Sequence, residues 1–179
     1  MTPERAAPKL RGFLKYGIVA ATIDRRDITM DTSTDTLTAG VACQIVGVPY
    51  QTLHRWIHEG LLKPTEDPGG SGHFRQFSAR DTLELAFVSA LRGIGASRAL
   101  TAQALHALQQ WLDAGIPERL WLVARDTNEV YWAEEPEAAT AAAGSHTAII
   151  LDVAALARET AAAFEQELQA QLASSRRRR

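Results

Sequence analysis

One cysteine, Cys43, stands in 179 residues. No disulfide can close within the chain, and a thiolate metal site would need ligands of other kinds. Cys43 falls inside a helical apolar pattern, where a thiol acts as a small buried hydrophobe. Long apolar runs are also missing; none approaches the roughly 20 residues that cross a bilayer. The stretch Tyr16 to Ile23 is too short for a secretory core, and no small-residue cleavage site follows it. A phosphate-binding loop is absent as well. Gly69-Gly70-Ser71-Gly72 lacks the Lys-Ser/Thr and the helix start such a loop needs. No spacing suggests a Ser/His/Asp set. His54 and His58 lie one helical turn apart beside Glu59, but no third ligand accompanies them and no metal site is assigned. The chain is therefore expected to be no enzyme and to need no cofactor.

What is present is a globular composition: 46% hydrophobic and 22% charged residues. The net charge of −2 hides segregation. Residues 1–30 sum to +3, residues 31–78 to −2, residues 79–115 to zero and residues 116–175 to −7, and Arg176 to Arg179 add +4. A near-neutral chain can still bind nucleic acid if its few cations share one face.

Residues 1–36 have no clean period and read as a basic flexible leader or, with Met30 just upstream of the first element, as the product of a mis-assigned start codon. Thr38 is the expected N-cap of a helix over Ala39 to Val46. Gly47 permits a sharp exit, and Pro49 suits the first position of the next helix. That helix, Pro49 to Glu59, turns Leu53 and Ile57 inward with Trp56 beside them. Tyr50, Gln51, His54, Arg55 and His58 fall on the other side. Gly60 is the expected left-handed cap. The segment from Leu61 to Pro64 and the strand His73 to Phe77 frame a turn at Asp67 to Gly72, giving a β-wing flanked by Lys63, His73 and Arg75.

Ser78 and Asp81 have capping-box spacing at the start of a third helix, striped by Leu83, Ala86, Phe87, Ala90, Leu91 and Ile94. Ser97 caps a fourth helix to about Asp113. Beyond Pro117 the pattern changes. Strands are expected at Leu120–Val123, Val130–Trp132 and Thr147–Leu151, with a linker or weak helix over Glu134 to Ser145. Asp152 is the expected cap of a last helix to about Leu172, striped by Val153, Leu156, Thr160, Phe164, Leu168 and Leu172. Trp121, Tyr131 and Trp132 read as core aromatics, with a ligand pocket as the alternative.

The ordered series Gly47-Val48, Thr52-Leu53-His54-Arg55-Trp56, Gly60-Leu61-Leu62-Lys63-Pro64, Gly72-His73-Phe74-Arg75-Gln76-Phe77 and Leu91-Arg92-Gly93-Ile94-Gly95 resembles the winged helix-turn-helix of MerR-family transcription regulators. The Arg-Trp pair is closer to the excisionase-like, short branch. His54 stands where an arginine is usual, and Ile57 where an acidic residue is common. The resemblance implies that His54, Arg55 and Trp56 touch the DNA backbone and that Arg75 is the wing arginine.

The expected fold is mainly α with a small β component. A winged helix-turn-helix over residues 37–115 is followed by a small α/β module, 116–173, and a basic tail, 174–179. The module is near the lower size limit for standing alone, so it is read as a homodimerisation unit. The expected function is a homodimeric, sequence-specific regulator that binds double-stranded DNA at an inverted repeat. The candidate contacts are Tyr50, Gln51, Thr52, His54, Arg55, Trp56, His58, Lys63, His73 and Arg75. Such a protein would be cytoplasmic and nucleoid-associated. Two other readings stay open: a phage- or plasmid-type architectural DNA-binding factor, and an adaptor whose acidic segment binds protein. No residue pattern supports a small-molecule effector.

Overall fold

The computed structural model describes residues 35–66, 75–125, 129–145 and 148–177. A short strand, β1 (Leu37–Thr38), leads into helix α1 (Ala39–Val46). Thr38 precedes α1 as expected, but its side chain makes no capping bond. Its backbone is extended and pairs in a strand instead. Gly47 ends α1 at φ 72°, the left-handed conformation that glycine adopts at least cost. The Val48 N–H then reaches back to the Cys43 carbonyl at 3.0 Å.

Helix α2 (Tyr50–His58) starts one residue later than expected. Pro49 is its extended N-cap, and the Pro49 carbonyl accepts from the Thr52 and Leu53 N–H groups. Gly60, at φ 73°, repeats the exit device, with the Leu61 N–H bonded to the Trp56 carbonyl at 2.9 Å.

The wing differs from the expected hairpin. Its return strand, β2 (Gln76–Phe77), pairs antiparallel with β1, Leu37 opposite Phe77. Leu61 to Pro64 forms no strand; among the described residues the arm on that side meets the return at the Glu66–Gln76 bridge. Leu61, Leu62 and Pro64 are buried, so this arm is held by packing more than by a ladder. The turn Asp67 to Gly72, His73 and Phe74 lie outside the described residues.

Helix α3 (Ala79–Gly93) opens with the expected capping box. Ser78 Oγ accepts from the Asp81 N–H, and the Asp81 carboxylate accepts from the Ser78 N–H. The same carboxylate also takes the Thr65 N–H at 2.8 Å, which ties the wing arm to this helix. Residues 81 to 88 are all buried, so α3 is enclosed on every side and not along one stripe. Ile94 is the exception to the expected stripe: it falls past the helix end and is 52% exposed. Helix α4 (Arg98–Ala114) is capped by Ser97, whose Oγ accepts from the Leu100 N–H.

The C-terminal part contains three strands, β3 (Trp121–Arg125), β4 (Val130–Ala133) and β5 (Ala148–Asp152), in the order β4-β3-β5, all antiparallel. The stretch read as a linker or weak helix contains helix α5 (Pro136–Ala143), with Pro136 at its start. Its alanine-rich face lets it lie close across the sheet, with Ala139 fully buried. The last helix, α6 (Val153–Arg177), runs past the expected Leu172, and into the stretch expected as a basic tail. Asp152 caps it through the Ala155 N–H, and the Leu120 carbonyl takes the Val153 and Ala154 N–H groups.

Helix α6 packs along α3 and α1. Its buried residues are Val153, Ala154, Ala157, Thr160 and Phe164, whereas Leu172 is 46% exposed. One hydrophobic cluster therefore runs from Ala39 through Leu83, Phe87 and Leu108 to Leu122, Trp132 and Ala157. Trp132 stacks on Phe87 at 6.3 Å between ring centroids, and Trp111 meets Trp132 at 6.5 Å. Residues on both sides of Gly115 share this core.

Candidate nucleic-acid interface

Helix α2 owes its orientation to its inward face. Leu53 is 1% exposed and Trp56 4%, and Ile57 is half-buried beside them. Three residues at this spacing fix the helix about its long axis. The opposite face then points to solvent: Tyr50, Gln51, His54, Arg55 and His58 are all exposed, and Thr52 is half-buried between the two faces. The structure thus brings five of the expected contacts onto one surface.

Trp56 is not among them, which corrects its assignment. The ring lies in the core, and its Nε1 is buried with no hydrogen-bond partner among the described residues. The helical period explains the difference: Trp56 is three residues from Leu53 and shares its face. A Thr-Leu-x-Arg-Trp string read as a contact motif hides that geometry.

The Arg55 side chain is 63% exposed, with Nε 4.0 Å from a Glu59 carboxylate oxygen. A surface pair at this distance is worth little and leaves the guanidinium free to exchange partners. The first turn of α2 has no acidic residue, and Pro49 offers no side-chain cap. An exposed helix N-terminus of this kind attracts anions, phosphate included.

Two further bonds, one at α2 and one at α1, set the helix pair in place. Arg98, at the start of α4, donates to the Glu59 carbonyl at 2.6 Å and so holds the C-terminal end of α2. Sequence reading found the Ser97 cap but not this bond, because no local pattern reports a contact across 39 residues. On the wing side, the Arg75 carbonyl accepts from the Ala39 N–H at 3.0 Å, closing the start of α1 against the return strand. The Arg75 side chain is half-buried and takes part in further interactions. Lys63 is exposed on the arm before the turn.

Away from this face lies a second polar network. Arg80 pairs with Glu84 and with Asp113 at 2.6 Å, and Gln109 Nε2 donates to both Glu84 oxygens at 3.2 Å. Burial pushes the Glu84 carboxyl above its usual range, against the opposing pull of Gln109 and Arg80. The network joins α3 to α4, and its role is structural. Burial likewise pushes the Cys43 thiol up. Among the described residues no three His, Cys, Asp or Glu side chains gather as a metal site, and no helix is long and apolar enough to cross a membrane.

No curated protein matches the chain. The family model described as MerR HTH family regulatory protein matches residues 37–108, the segment that runs from β1 into α4, and that segment is similar to the helix-turn-helix of this family.

Proposed function

We propose that the chain is a sequence-specific transcription regulator that binds double-stranded DNA as a homodimer on an inverted repeat. The observation that carries this reading is the division of α2: Leu53 and Trp56 inside, Tyr50, Gln51, His54, Arg55 and His58 outside. A helix carrying glutamine, tyrosine, histidine and arginine outward can donate to base edges and to phosphates in a major groove. Gln51 and Tyr50, in the first turn, are the base-edge candidates. Arg55, Lys63, His73 and Arg75 are the backbone candidates, with His54, His58 and Thr52 completing the surface.

Few cations serve this face, so one copy binds weakly and two are needed for useful affinity. Selection of full-length protein on random double-stranded DNA at low salt tests the reading. It predicts an enriched motif with two inverted half-sites about one helical turn apart, or a multiple of that. Enrichment of direct-repeat arrays would favour an architectural role, and recovery of no motif would favour a protein-binding adaptor.

A further inference from the structure

We infer that β5 is the surface through which two copies join, edge to edge, into one continuous sheet. The inference deepens the homodimer reading above and rests on it. Among the described residues β5 pairs only with β3, so its second edge carries backbone donors and acceptors without a ladder. Exposed edges are usually blunted by lysine, proline or a bulge. Ala148-Ile149-Ile150-Leu151 has neither lysine nor proline, and Ile150 is 42% exposed. Helix α5 lies against β3, β4 and β5 alike, and the opposite edge strand, β4, is also in contact with α4.

The occupant that fits is a second copy of the same strand. An antiparallel pair about a two-fold axis at Ile150 sets Ile150 opposite itself and Ile149 opposite Leu151. Ile149 and Leu151 lie on the sheet face that packs on the hydrophobic cluster, so that pairing prolongs the core across the axis. Ile150 lies on the other face, with Val123 and Tyr131, and gains an apolar neighbour where it now meets solvent. Each Asp152 falls opposite the small, neutral Ala148 of the other copy, so no like charges meet. Five residues of edge cover less than the roughly 800 Å² per partner of a standard interface. The dimer is accordingly weak and forms in a concentration-dependent way.

The test is a symmetric cross-link in the full chain. Directly opposite residues of an antiparallel pair have Cα atoms about 4.5 or 5.5 Å apart, within disulfide reach. Ile150→Cys in a Cys43→Ala background is expected to give a covalent dimer on mild oxidation, whereas Glu165→Cys, exposed on α6, gives none. Ile150→Lys, checked for folding by circular dichroism, is expected to lose dimer in sedimentation and still bind a single half-site. A chain that dimerises while Ile150→Cys stays uncross-linked overturns the inference. So does a chain that remains monomeric at all concentrations, the result expected if residues 1–34 of its own chain cover the edge. Half-site binding by the monomeric chain would leave the DNA-binding reading standing; cross-linking without DNA binding would do the reverse.

Discussion

Phe87 of α3 and Trp132 of β4 pack with near-parallel, offset rings, their planes 11° apart and their centroids 6.3 Å apart. One ring belongs to the helix-turn-helix part and the other to the sheet that follows it. Their contact makes the sheet a buttress of the helix-turn-helix part and not a separate unit hung from it. Trp132→Ala is predicted to destabilise the whole chain by about 3–5 kcal/mol, the usual cost of emptying a large buried aromatic site. Urea unfolding checks this. Helical signal and tryptophan fluorescence should move in one transition that shifts to lower urea in the variant. Two transitions, with the helical part unaffected, would show that the cluster does not act as one core.

Charge contacts to phosphate should be blind to sequence. Arg55→Ala and Arg75→Ala are each predicted to weaken binding about equally on all duplexes and to lower the salt slope by about one per half-site, about two for the two-copy complex. The Arg75 carbonyl, not its side chain, holds Ala39, so the bond to α1 survives this truncation. Mobility shifts over a salt series measure the effect. An unchanged slope for Arg75→Ala would remove the wing from the interface.

Gln51 is placed to behave differently. It is exposed in the first turn of α2, and Gln51→Ala is predicted to change the preferred base at one position of each half-site. The loss of discrimination should be about 1–3 kcal/mol there, with little effect on the salt slope. Random-sequence selection with the variant reads this directly. The same motif at the same strength would rule Gln51 out as a reader.

Glu84 gives a pH prediction. Its carboxyl is pushed up in the folded chain by burial, so the folded state holds the proton more tightly than the unfolded one. The Glu84 contribution to stability therefore falls as pH rises from the ordinary glutamate range through the raised folded value. Glu84→Gln is predicted to flatten this part of the profile while keeping a hydrogen-bonding side chain near Arg80 and Gln109. Thermal melts between mildly acidic and neutral pH decide it; parallel profiles for the two proteins would contradict the assignment.

Local chemistry was the legible part of this fold. Gly47 and Gly60 as helix exits, the Ser78–Asp81 box, the Ser97 cap and the Asp152 cap are written in two to four adjacent residues. Periodicity placed α1 to α4 and the three later strands within a residue or two. Contacts between distant segments were not legible. Nothing near Leu37 signals that it pairs with Phe77, 40 residues on, and so the return strand's second partner, β1, was not foreseen beside the Glu66–Gln76 pairing of the wing arm. Nothing near Trp132 signals Phe87. Within the candidate site the outward face of α2 followed from its period, which also set Trp56 beside Leu53 and Ile57; only the family resemblance made Trp56 a DNA contact, and its burial sides with the period.

On the function proposed above, the exposed face of α2 and the wing read duplex DNA through two copies of the chain. Hydroxyl-radical footprinting of the full chain on its strongest selected site tests it most directly. Two protected patches related by a two-fold axis and centred about one helical turn apart, or a multiple of it, are predicted, with protection lost in the Arg55→Ala chain. A uniform, symmetry-free footprint that survives Arg55→Ala would contradict the account.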